Sequence, residues 1–167
     1  MITMNLNLIS VLLITAFVAP ATGQMNTTQT GADYYFGLGT YFYNIDDYND
    51  SLQAYNEVIQ INPQDADAWN NMGIDLGLLG RPVDALNAFY KAATINSSYA
   101  EPWYNMGVIF DSQGAYENAV QAYDRATIIN PSYEKAWYNK DRDQDIIGIP
   151  HTSLYLELTN GNNGEGE

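Results

Sequence analysis

The sequence predicts an all-α protein built as a stack of helical hairpins, and three observations carry that prediction. The three tryptophans, Trp69, Trp103 and Trp137, stand 34 residues apart, a fixed period of the kind left by one supersecondary unit recurring along a chain. Within each period the apolar residues follow helical spacing. Glycine and proline fall where one predicted helix should hand over to the next.

Aligned on the tryptophans, the chain divides into units 32–65, 66–99 and 100–133, with a partial unit over 134–147. The first reads Tyr35, Leu38, Gly39, Phe42, Tyr48, Ser51, Tyr55, Val58, Pro63. The second reads Trp69, Met72, Gly73, Leu76, Gly80, Ala85, Phe89, Ala92, with Ser97 in the proline position. The third reads Trp103, Met106, Gly107, Phe110, Gly114, Tyr116, Ala119, Tyr123, Ala126, Pro131. Trp103, Met106, Gly107 and Phe110 follow i, i+3, i+4, i+7 and so share one helix face. Gly107 has no side chain, which lets a second helix approach, and Ala119 is the matching small residue. Gly114 sits in the connection, where a positive φ suits glycine. Pro82 and Pro102 fall near helix starts, where a missing N–H costs little, and Pro63 and Pro131 end the second helices. Ser51 and Val58 replace the small alanines of the first unit, so its two helices are expected to sit slightly farther apart. In the partial unit Trp137 is kept, but Lys140 and Asp141 fill the aliphatic and glycine positions. Charge there should block a further helix, leaving a polar terminal helix over 134–147 and seven helices in all.

This pattern resembles the tetratricopeptide repeat, whose signature places an aromatic, an aliphatic, a glycine, a second aromatic, two alanines and a proline at these spacings. The resemblance covers 32–147. It implies a right-handed α-solenoid of three helix-turn-helix repeats plus a capping helix, and a non-catalytic protein–protein interaction module. It further implies a concave groove lined by the first helix of each unit, with residues two, five, six, nine and twelve facing it. The sixth positions are Asn71, Asn105 and Asn139, and family members that hold extended polypeptides carry similar ladders. A primary amide both donates and accepts, so it pairs with a peptide backbone without reading its sequence; the alternative is that these asparagines bridge neighbouring helices. Tyr104, Tyr138 and Phe36 offer flat surfaces for apolar or cationic side chains, or else pack between helices at the groove floor. Asp67, Glu101 and Asp111 add negative charge, while Lys135 and Arg142 add positive charge only in the last helix. Members that clamp a C-terminal carboxylate use several Lys and Arg residues; here the first unit has Asp33, Phe36 and Thr40, so that activity is not carried over.

Six Lys and Arg residues against twenty Asp and Glu set a net charge of −14. Eight of those carboxylates precede Arg81, the first cation. Such a field repels nucleic acid and anionic lipid and favours a neutral-to-basic protein or peptide partner, although solubility alone accounts for it equally well. Leu8–Val18 is an uncharged apolar run followed by Ala19-Pro20-Ala21-Thr22-Gly23, which predicts a signal peptide or N-terminal anchor over 1–23. Cleavage is expected before Thr22 or Gln24, placing the protein outside the cytoplasm; no Lys or Arg precedes the run, so an uncleaved membrane anchor is the competitor. Residues 24–31 read as a linker. In the acidic tail, 148–167, Gly148-Ile149-Pro150 breaks the last helix, Leu154, Leu156 and Leu158 alternate, and the Gly/Asn/Glu-rich end reads as disordered.

Catalytic, metal and cofactor sites find no support. The chain has no Cys and a single histidine, His151, which excludes thiolate chemistry and a histidine-based metal site. Asp141, Asp143 and Asp145 begin like a calcium loop, but Ile146 and Thr152 replace the required glycine and glutamate. The trio reads instead as a solvated face. The functional expectation is an exported scaffold that is a monomer or weakly self-associating. Its alternative is a structural cell-envelope protein acting through solenoid self-association.

Overall fold

The computed structural model describes residues 27–148. These form seven helices: α1 (Thr27–Asn44), α2 (Tyr48–Ile61), α3 (Ala66–Leu78), α4 (Pro82–Ile95), α5 (Ala100–Ser112), α6 (Tyr116–Ile129) and α7 (Glu134–Ile147). Among the described residues there are no strands, and no helix is long and apolar enough to cross a membrane. The expected leader, the alternating leucines and His151 lie outside the described residues. Helices pack in consecutive pairs, α1 with α2, α3 with α4 and α5 with α6, and α7 closes against α6. Each pair stacks on the next, which makes the molecule an all-α helical repeat.

The turns within pairs obey one geometry. Asp46, Gly80, Gly114 and Gly148 recur at the 34-residue period, and all have φ between 60° and 71°. In each of the three hairpins the N–H after this residue donates five residues back: Asp47 to Phe42, Arg81 to Leu76 and Ala115 to Phe110, at 2.8–2.9 Å. This left-handed close to a helix suits glycine. Asp46 is the non-glycine case, and its carboxylate accepts from the Tyr48 hydroxyl at 2.6 Å. The adjacent Asp47 caps α2 by accepting from the Asp50 N–H, so the Asp46–Asp47–Asp50 group is turn and cap chemistry.

Between paired helices the contact is glycine on ring. A Cβ at Gly39 would lie 2.8 Å from the Tyr55 ring and one at Gly73 2.6 Å from Phe89; at Gly107 it would meet Tyr123 more closely still. The group nearest the space at Gly107 is therefore the Tyr123 ring, and Ala119 is fully buried beside it on the same helix. The first pair also differs from expectation. Ser51 is buried and donates to the Gly39 carbonyl at 3.0 Å, so a hydrogen bond closes the two helices where looser packing was anticipated. Between pairs, the indoles of Trp69 and Trp137 donate to the Pro63 and Pro131 carbonyls at 3.1 and 2.9 Å, which explains why tryptophan and proline share a period.

Both ends correct the sequence reading. α1 begins at Thr27, inside the expected linker, because Ala32 is already buried in the cluster with Tyr55, Val58 and Ile59 and holds the turn before it. At the other end Lys140 is not an outward barrier. It is buried, paired with Asp124 at 2.5 Å, and its ammonium lies 4.9 Å from the Trp137 ring centre. Asp143 is not solvated either: it has no exposed surface and is held by Arg142 at 2.8 Å. Asp141 and Asp145 also have interactions within the protein, and among the described residues no metal-ligand group of three or more side chains forms.

Candidate functional site

The first helices α1, α3, α5 and α7 lie side by side, and two neighbouring depressions open along the face they share. One, about 260 Å³, lies between α1 and α3 and is lined by Thr40, Tyr43, Asn44, Tyr55, Asn71 and Ile74. The next, about 300 Å³, lies between α3 and α5, where Ile74, Gly77, Leu78, Val108 and Ile109 form its wall. Ile74 borders both, so the two adjoin as a shallow channel along this face. Leu78 and Val108 are exposed in it. Gly77 keeps it open, since a Cβ there would come within 3.2 Å of Ile109.

Each asparagine of the expected ladder is anchored by its amide nitrogen. Asn71 donates to the Tyr55 hydroxyl at 3.2 Å and Asn105 to the Asn70 side-chain oxygen at 3.0 Å. Asn139 reaches the hydroxyls of Tyr123 and Tyr104 at 3.4 and 3.5 Å. All three bridge helices and stay partly exposed, and Asn71 and Asn105 also line the two depressions. Phe36 packs edge-on against Tyr55, with ring centres 5.4 Å apart, and Tyr104 lies 4.9 Å from Tyr133. Those two rings are part of the floor. Tyr138, 71% exposed, is the free one.

Charge is distributed unevenly along this face. Arg142 of α7 sits between Asp111 at 2.5 Å and Asp143 at 2.8 Å, and the Asp143 hydrogen bond is the main cause that holds its guanidinium pKa above the ordinary value. Asp111, expected as free negative charge, is neutralised by the same contact. Burial pushes Asp143 up, with Arg142 opposing it. Near the α5 start, burial raises the Tyr99 hydroxyl, helped by Glu101 and Asp67, and takes Tyr133 to about 12.

Sequence reasoning missed Asn70, which is buried and receives the Asn105 amide. It also missed Tyr43, Ile74, Leu78 and Val108. For the last three the signal was present as helical spacing from Asn71 and Asn105, three or seven residues on along the same helix.

Two family models match the chain, one described as tetratricopeptide repeat over residues 100–133 and one as TPR repeat over 39–80. Residues 39–80 and 100–133 of the chain are thus tetratricopeptide repeats. A relative, the peroxisomal targeting signal receptor of Pichia angusta, is 39% identical over 46 residues, which is 28% of this chain and 8% of the receptor. The match thus spans a small part of that protein's length. A crystal structure of MamA superposes with a TM-score of 0.69 at 19% identity, covering 84% of this chain and 81% of the other. The first TPR of Spaghetti (RPAP3) bound to HSP90 peptide SRMEEVD superposes at 0.67 and 16%, covering 71% and 94%. At these identities the structural likeness is one of fold. Within the tetratricopeptide frame, Asn71, Asn105 and Asn139 occupy one repeat position; Asn71 and Asn139 donate to the equivalent tyrosines Tyr55 and Tyr123, whereas Asn105, with Phe89 at that place, donates to Asn70 instead.

Proposed function

We propose that this tetratricopeptide protein is a non-catalytic interaction module that holds an extended polypeptide segment with bulky apolar and neutral-to-basic side chains. The observation that carries the reading is the apolar channel walled by Ile74, Leu78 and Val108, on a face where Arg142 is already engaged by two carboxylates. Apolar side chains of the segment fill the two depressions. Its backbone N–H groups meet the oxygens of Asn71, Asn105 and Asn139, whose nitrogens are tied to the floor. Asp33 in α1 and Asp67 and Glu101 near the starts of α3 and α5, all exposed, favour Lys or Arg in the ligand. Spaghetti's repeat holds SRMEEVD, a peptide with an acidic end. The carboxylates here oppose such a ligand.

Fluorescence anisotropy with two labelled peptides tests this: a nine-residue Leu- and Lys-containing peptide and SRMEEVD. The basic, apolar peptide is expected to bind at least about tenfold more tightly, and Leu78→Asp with Val108→Asp to abolish that binding while circular dichroism stays unchanged. A channel that takes SRMEEVD equally well, or takes neither peptide, overturns the reading. We also propose that residues 1–23 direct export, on the strength of the apolar run Leu8–Val18. N-terminal sequencing of the protein from its native cells should then begin at Thr22 or Gln24; a retained Met1 counts against it.

A further inference from the structure

We propose that the outer face of α1 is an interface between two copies of this chain, joined head to head. The repeat itself supplies the comparison. In later units the third and tenth residues are largely covered by the helix that precedes them: Ala68 and Asp75 in α3 and Ala136 and Asp143 in α7 are all 0% exposed, and in α5 Pro102 is buried while Ile109 is partly exposed. The same two positions of α1 hold Tyr34 and Tyr41, which are 47% and 58% exposed. Ile45, one turn on, is 53% exposed, and the partly exposed Leu38 lies between the tyrosines. Spacings of four, three and four residues put all four on one stripe. Among the described residues nothing covers it.

Charge selects the occupant. The chain carries −14 overall, so copies meeting across most surfaces bring carboxylates together. α1 contains one carboxylate, Asp33, and no cation. Two copies therefore approach along this stripe with the least repulsion. An antiparallel arrangement about a two-fold axis sets Tyr34 of one copy toward Ile45 of the other, which makes the contact self-complementary. The opposite end of the stack is unsuitable as a partner, because α7 exposes Glu134, Lys135 and Asp145. Placing those against an apolar stripe would desolvate them without compensation. Association thus closes at two copies instead of running on as a filament. The apolar run Leu8–Val18 precedes α1 in the chain and is the rival occupant; the export proposed above removes it from this role. Half-exposed tyrosines bury ~100 Å² each, so the patch falls short of the ~800 Å² per partner of a stable complex, and the dimer should be reversible.

Light scattering of the exported protein, purified without residues 1–23, from micromolar to near-millimolar concentration provides the test. The mass is expected to rise from that of one chain toward twice that value and no further. Tyr34→Glu combined with Tyr41→Glu should hold it at one chain, with helical circular dichroism retained. Tyr41→Ser, a milder change in case the acidic pair unfolds α1, should weaken the dimer about tenfold. Tyr138→Glu, a single added charge on an exposed ring of α7, should leave it intact. A chain that stays single throughout, growth beyond two copies, indifference to the Tyr41 variants, or equal loss in Tyr138→Glu overturns the proposal.

Discussion

Asp75 is a carboxylate with no exposed surface and no hydrogen bond to either oxygen. Burial raises its pKa from 3.8 to about 6; the nearby Ser51 hydroxyl, which would lower it, donates to the Gly39 carbonyl instead. Because the folded value lies above the unfolded one, the fold favours the protonated form. That contribution is complete below the unfolded pKa and is lost as pH rises through the folded pKa. At about 1.4 kcal/mol per unit, the ionised state costs about 3 kcal/mol near neutral pH. Asp75→Asn should therefore gain about that much stability at roughly pH 7.5 and little near pH 4. Urea unfolding at the two pH values checks this, and an equal gain at both would show that packing, not ionisation, is responsible. Little of this was legible in the sequence. Asp75 reads as one more acidic residue, and its burial depends on α2, a helix that lies before it in the chain and against it in space. The left-handed turns were partly legible: glycine marks them at Gly80, Gly114 and Gly148, whereas Asp46 adopts the same φ without the signal.

At the scale of the element, α7 shows how polar residues close a stack. Its inward face buries Ala136, Lys140, Asp143 and Gln144, and Arg142 ties Asp143 to Asp111 of α5. Removing Arg142 would leave a buried carboxylate uncompensated, while replacing both members avoids that cost. Arg142→Ala should lower stability by about 2 kcal/mol, less than a fully buried pair because the guanidinium is partly exposed, and adding Asp143→Asn should recover most of it. Thermal unfolding of the two variants settles the matter; no recovery in the double variant means the arginine acts through its packing alone. Here the sequence identified a polar terminal helix but assigned its charges to solvent. The helical wheel shows that Lys140 and Asp143 fall on the side of α6, yet it does not show that Asp124 and Arg142 stand ready to neutralise them. The asparagines repeat the lesson, since their period was plain but their hydroxyl and amide partners lie on other helices.

For the whole molecule, stability should be graded along the stack, because each hairpin is completed by its neighbours. α3, α4 and α5 are packed on both sides, whereas α1 has neighbours on one side only. Amide exchange measured under conditions that keep the chain single should be slowest in α3–α5 and faster in α1 by at least about tenfold. Uniform protection across α1 would argue that another segment of the chain covers it.

The order and type of the helices, the positions of their joints and the family resemblance were determined by sequence alone. They depend on spacings of three, four and 34 residues, which are local or repeat unchanged from unit to unit. Which polar groups are paired, which rings form the floor, and which faces stay open were decided only by the tertiary structure. Those properties belong to residues far apart in the chain, and burial has no existence until the helices meet.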